Sequence, residues 1–279
     1  MAIHGQGYRR YAGTRAARGR AWIVIAKTGI RARLRQRRFL GLLLISWVLF
    51  LVRTVQLYAA VNLPQVAFLA PTPELFRQFL SQQQIFVFLV TVYGGAGLIA
   101  NDRRANALQI YLSKPLTRTE YVVGKLGILV TFLLLITWLP AAALLLVQVI
   151  LAGNLTFFSN NSHLLPAITI FSIIEAIVVA TVMLALSSLS KSSRYVGILY
   201  TLLLFFSEAI FGVLRVVTGD TRLAWISVPV DLGQLGDVIF QLSPHYDTPW
   251  PLSLLVIIVL VTVAGFVLAR RVQGVEVIT

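Results

Sequence analysis

The chain has 279 residues, 58% of them hydrophobic, a mean hydropathy of +0.83 and a formal net charge of +14. A water-soluble domain of this size has no interior large enough to hide so much apolar side chain, so the composition predicts an all-α, polytopic membrane protein. The absence of cysteine excludes disulfides, a thiol nucleophile and any Cys-based metal site.

Residues 1–20 are rich in Gly, Arg and Ala without apolar periodicity and read as a flexible cytoplasmic tail. From Ala21 the pattern turns helical. Trp22, Ile23, Ala26, Ile30 and Leu34 recur at helix spacing with Lys27, Arg31, Arg35 and Arg38 beside them, which predicts an interfacial helix over 21–38 on the inner membrane surface. The run RARLRQRR anchors the first span to anionic headgroups; no aromatic residue is interleaved to stack on bases, so nucleic acid is not an expected partner. With 38 residues ahead of the first apolar run and no small-x-small pattern closing it, this segment is not expected to be a cleaved signal.

A membrane helix needs about 20 apolar residues. That filter predicts six spans, at about 39–61, 76–100, 121–151, 166–189, 196–218 and 251–269; the second reaches full length only by including the polar but helix-compatible stretch Phe76–Gln84. Of the 24 Lys and Arg residues, 20 fall in 1–38, 101–125, 190–195 and 270–279. These alternate segments therefore face the cytoplasm, and both termini lie inside, as the positive-inside rule requires. The intervening segments 62–84, 152–165 and 219–250 carry only Arg77 and Arg222 as cations but also Glu74, Asp220, Asp231, Asp237 and Asp247. The expected location is a bacterial cytoplasmic membrane.

Between spans two and three, Asp102–Leu112 reads as a short helix that Pro115 ends. Thr117-Arg118-Thr119-Glu120 matches a capping box, so a new helix starts at about Arg118 and runs into the third span. A helix, a tight turn at Ser113–Leu116 and a second helix make a rigid corner that another protein can push. Gly94-Gly95-Ala96-Gly97 predicts close helix packing. The four aspartates of the outer loop 219–250 match no metal-ligand spacing and are expected to be solvated, although VDLGQLGDVIFQL is capable of a short helix packed against or dipping into the outer membrane surface.

Three ionisable side chains fall at membrane depth. At about 1.5 Å per residue, Arg53 and Glu175 lie roughly 21 Å and Glu208 roughly 18 Å from the inner ends of their spans. The expected arrangement is an intramembrane polar network in which Arg53 pairs with one or both carboxylates and fixes how spans one, four and five pack; the functional alternative is a polar lining for a transported headgroup or a gate that breaks its pairing when the bundle opens. The chain has no G-x-x-x-x-G-K-[ST], no H-E-x-x-H and no G-x-S-x-G, so no catalytic residue, resident cofactor or metal is expected. Any ATP must be hydrolysed elsewhere.

These features together resemble the permease subunits of ATP-binding-cassette exporters, the ABC-2 type permease family. LRQRRFLGLLL looks like the family's elbow helix, and GLIANDRRANALQIYLSKPLTRTEYVVGKL is similar to the segment that follows its second span. The resemblance implies a coupling helix at Asp102–Leu112, within a coupling segment 101–120 seated in a cleft of a separate ATPase subunit that binds ATP and Mg. The implied contact residues are Asp102, Arg103, Arg104, Leu108, Tyr111 and Leu112, with Arg118 close behind. Many relatives have Glu-x-Gly-Thr-Leu where this chain has Arg104-Ala105-Asn106-Ala107-Leu108. The resemblance further implies a homodimer, or a heterodimer with a second permease. Two alternatives stand beside an exporter: a non-transporting, force-transmitting anchor acting on a periplasmic partner through 219–250, and an ion-driven transporter using Glu175 and Glu208.

Overall fold

The computed structural model of the chain describes residues 20–62, 71–106 and 117–272. Among these the regular structure is entirely helical. Six helical stretches are long and apolar enough to cross a membrane: Arg37–Asn62, Pro73–Arg104, Arg118–Ala152, Leu164–Leu189, Ser193–Thr218 and Trp250–Arg271. Each contains one of the six expected spans and extends it by up to four residues at an end, because polar and basic residues such as Arg37 and Arg271 continue the helical hydrogen bonding past the apolar run.

Helix α1 is Ala21–Leu34. The first span consists of α2, Arg37–Ser46, and α3, Val48–Asn62. The second is α4, Pro73–Gln82, then α5, Gln84–Gly95, and α6, Gly97–Arg104. The third is α7, Arg118–Ile136, and α8, Trp138–Ala152; a single turn, α9, Thr156–Asn160, follows. Unbroken helices α10, Leu164–Leu189, and α11, Ser193–Thr218, are spans four and five. After a 3-10 turn at Ala224–Ile226 come α12, Val228–Ile239, and the sixth span, α13, Trp250–Arg271.

The breaks within spans have local causes. Pro140 has no N–H to offer the Ile136 carbonyl, and α7 ends at Ile136 with α8 resuming at Trp138 after Thr137. At Trp47 the interruption frees the Ser46 carbonyl, which accepts from Gln83 Nε2 at 3.1 Å; Gln83 is itself the junction of α4 and α5, so one fully buried side chain ties two breaks together. At Ala96 the Ser187 hydroxyl accepts from the Ile99 and Ala100 amides at 3.1 and 3.0 Å and donates to the Ala96 carbonyl at 2.8 Å. That hydroxyl supplies the partners that a helix loses where it is interrupted.

The fourth span is the core. It packs against helices of the second, third, fifth and sixth spans and against α12. Of its most apolar stretch 72% is buried, against 17%, 22% and 22% for the first, fifth and sixth spans, which form the periphery. The side chains left open there are apolar, among them Leu51, Val55, Phe206, Val216, Ile258 and Phe266, a surface suited to lipid rather than water. The glycine-rich run packs closely, as expected: a Cβ at Gly95 would come within 2.7 Å of Met183 Cγ and 2.9 Å of Leu129 Cδ2, so spans two, three and four meet there at backbone distance.

The region 219–250 departs from a solvated loop. Helix α12 buries Leu232 and Leu235 against the fourth and sixth spans. Asp231 and Asp237, expected in water, are 0% and 3% exposed. Asp231 sits beside these leucines on α12, whereas Asp237 lies on another side of the helix, facing Arg77 of the second span. Asp220 and Asp247 remain near the surface, linked to Arg222 and Thr221.

Candidate functional site: a helix corner, a helix pair and a cleft

The ends of spans two and three that flank residues 107–116 are tied down by side chains. Thr117 is an N-cap: its Oγ1 accepts from the Glu120 amide at 3.2 Å while Glu120 Oε2 accepts from the Thr117 amide at 3.0 Å, the capping box expected for a helix starting at Arg118. The other carboxylate oxygen of Glu120 accepts from the Ala21 amide at 3.3 Å and so also caps α1. Helix α1 lies along α7 at close range, since a Cβ at Gly124 would meet the Trp22 carbonyl at 3.0 Å and one at Gly29 would run into the Ile128 side chain.

Asp102 is the hub of this corner. Its Oδ2 accepts from the Tyr121 hydroxyl at 2.7 Å and pairs with Lys125 Nζ at 2.7 Å, with the ammonium 5.4 Å above the Tyr121 ring. Tyr121 is fully buried, so these bonds act in low dielectric. Arg103 donates to the Ser188 carbonyl near the end of the fourth span. Arg104 and Arg118 are exposed. Asp102 and Arg103 therefore point into the bundle, and Arg104 and Arg118 point out of it.

One boundary differs from expectation. Asp102 does not open a separate helix; it lies in α6, which runs unbroken from Gly97 and stops at Arg104, with Asn106 at φ +52° in the left-handed conformation that asparagine tolerates at helix ends. Leu108, Tyr111, Leu112 and the turn at 113–116 lie outside the described residues.

Spans two and four are joined at four heights. From the corner these are Arg103 to the Ser188 carbonyl, the α5–α6 break to Ser187, Gln84 Nε2 donating to Glu175 Oε1, and the Arg77 guanidinium 5.1 Å above the Phe171 ring. Residues 171 and 188 of one straight helix are about 25 Å apart, so the contacts run along most of the bundle's thickness.

At the far end lies a buried ion pair. Arg77 Nε donates to Asp237 Oδ1 at 3.0 Å, and its Nη2 donates to the Gly233 carbonyl at 2.7 Å. The other Asp237 oxygen is 2.8 Å from His245 Nδ1. These side chains form part of the wall of an open cleft of about 520 Å³ between the second and fifth spans and α12. Ser81, Gln84, Phe88, Phe205 and Glu208 contribute to the rest of the wall.

The three membrane-depth groups do not form one network. Arg53 Nη1 donates to Gln56 on its own helix at 2.7 Å. Glu175 is 1% exposed and held by Gln84, and Glu208 is exposed on the cleft wall. Equal depth did not bring Arg53 to a carboxylate because α3 packs against α8 and α4 rather than beside spans four and five. Among the described residues, the arginine that pairs with a carboxylate in the bundle is Arg77, and its one sequence signal is that it stands almost alone among the acidic groups of the segments without basic clusters. Neither carboxylate oxygen of Asp231 has a hydrogen-bond partner, the Ser253 hydroxyl being turned to Gln234, and burial pushes the Asp231 carboxyl from the usual 3.8 to about 7. Among the described residues, no three His, Cys, Asp or Glu side chains are grouped to hold a metal ion.

Comparison with protein-family models and with curated proteins finds no match to this chain.

Proposed function

We propose that this chain is the membrane-spanning permease subunit of an ATP-binding-cassette exporter of the ABC-2 type, coupling ATP hydrolysis by a separate ATPase to movement of a substrate across the membrane. The observation that carries the reading is the run of contacts joining spans two and four. It begins at the two ends of the 101–120 corner and finishes at the Arg77–Asp237 pair on the cleft wall. A push on the corner is delivered to Asp102 and Arg103, which are fastened to spans three and four, so it moves a braced pair of helices rather than a floppy loop.

In this reading α1 is the elbow helix at the inner surface, the basic ends of the spans face the cytoplasm, and 101–120 docks on the ATPase with Arg104 and Arg118 outward. Leu108, Tyr111 and Leu112 supply the apolar part of the contact. ATP and Mg are bound by the ATPase, and two permeases, identical or paralogous, complete the pathway. Exposed apolar side chains on spans one, five and six are consistent with a lipid-embedded body that also meets a second copy.

The test is co-purification with a P-loop ATPase encoded beside this chain, followed by ATPase assays in lipid. Leu108→Asp or Tyr111→Ala abolishes stimulated hydrolysis while membrane insertion is unchanged. Absence of an associated ATPase, or full stimulation in both variants, refutes the reading.

A further inference from the structure

Charge accounting in the cleft points to its ligand. Arg77 is charge-balanced by Asp237, donates also to the Gly233 carbonyl and lies against Phe171, so it adds no net positive charge to the cleft. Asp237 is in turn balanced by Arg77 and bonded to His245. Glu208 has no hydrogen-bond or ion-pair partner among the described residues, and it is exposed on the cleft wall. The cleft therefore carries one carboxylate that no side chain of the described residues balances.

Position makes that carboxylate informative. It lies 15 residues into the 26-residue α11, about 22 Å from the Ser193 end, at a depth where an unpaired charge is expensive. Its neighbours Phe205, Phe206 and Ile210 are exposed and apolar. On the cleft wall Phe88 and Phe205 meet edge to face, with centroids 5.4 Å apart at 90°. Aromatic faces attract cations, and a carboxylate beside them adds a charge-assisted contact. A volume of about 520 Å³ lies in the range of small-molecule sites.

We infer that the cleft between spans two and five binds an amphiphile with a positively charged headgroup. Glu208 supplies the counter-charge, Phe88 and Phe205 hold the apolar body against span two, and the polar side chains Ser81 and Gln84 face the headgroup region. The ligand binds to this chain itself, so the inference does not depend on the ATPase.

The test uses the full chain in nanodiscs of uncharged phosphatidylcholine, without ATPase or nucleotide. A dansylated alkyl-trimethylammonium probe and its neutral dansylated alkyl-alcohol analogue are titrated by fluorescence. Wild type prefers the cation; Glu208→Gln weakens cation binding by about tenfold, the loss of one charge-assisted contact, and leaves the alcohol unchanged. Glu208→Asp restores most of the preference, Phe205→Ala weakens both probes, and Glu74→Gln, an exposed carboxylate outside the cleft, changes neither. Equal binding of cation and alcohol by wild type, or an undiminished preference in Glu208→Gln, overturns the inference. So does a change in oligomeric state of Glu208→Gln without a change in binding, which assigns the counter-charge to a second chain. Because stimulated ATPase activity plays no part in this measurement, its failure and the failure of the transporter reading are separately visible.

Discussion

Replacing Asp237 with asparagine keeps the shape of the Arg77 site and removes its counter-charge. The pair is well shielded, with side-chain exposures of 10% for Arg77 and 5% for Asp237. Breaking one side of a buried ion pair costs about 3–5 kcal/mol because the surviving charge stays desolvated. Arg77 keeps the Gly233 carbonyl at 2.7 Å and the Phe171 face at 5.1 Å, which places Asp237→Asn at the lower end, about 3 kcal/mol. At about 2–4 °C per kcal/mol for a chain of this order, the midpoint falls by roughly 6–12 °C. The assay is thermal unfolding in nanodiscs followed by near-UV circular dichroism, with the Arg77→Met/Asp237→Leu double variant alongside. If the loss comes from an orphaned charge, the double variant recovers to within about 1 kcal/mol of wild type, because apolar groups of similar volume replace both ions. A midpoint shift under about 2 °C for Asp237→Asn, or a double variant as unstable as the sum of the single changes, refutes this account.

Three further outcomes follow from the packing. The raised Asp231 carboxyl means the folded state holds a proton that the unfolded chain releases, so stability falls as pH rises from about 4 through about 7; Asp231→Asn flattens the profile of midpoint against pH and is the more stable protein above pH 7. Gly95→Ala costs about 1–3 kcal/mol because its methyl meets Met183 and Leu129, whereas Gly41→Ala, with nothing within 4 Å, is neutral or stabilising; paired melts separate them. Ser187→Ala leaves the Ile99 and Ala100 amides without their buried acceptor and costs about 1–3 kcal/mol by the same measurement.

The helical class, the six spans and the start of α7 were legible because each rests on short-range information. Apolar runs of span length need no partner to be recognised, and Thr117 and Glu120 are three residues apart, so their reciprocal bonds follow from local geometry. The breaks at Gln83 and Ala96 were less visible. Their hydrogen-bond partners, Ser46 and Ser187, are 37 and 87 to 91 residues away.

The candidate site divides along the same line. Sequence singled out the corner between spans two and three but not its side-chain pairing, in which Asp102 and Arg103 turn inward to Lys125, Tyr121 and Ser188 while Arg104 and Arg118 stay outside. It also supplied depth along each span: Arg53, Glu175 and Glu208 do sit within spans. Which helix stands beside which is a lateral fact, set by how glycines and large side chains interlock across the bundle. That lateral packing, absent from any single stretch of chain, separated Arg53 from the glutamates, brought Arg77 to Asp237 across 160 residues and left Glu208 facing an open cleft.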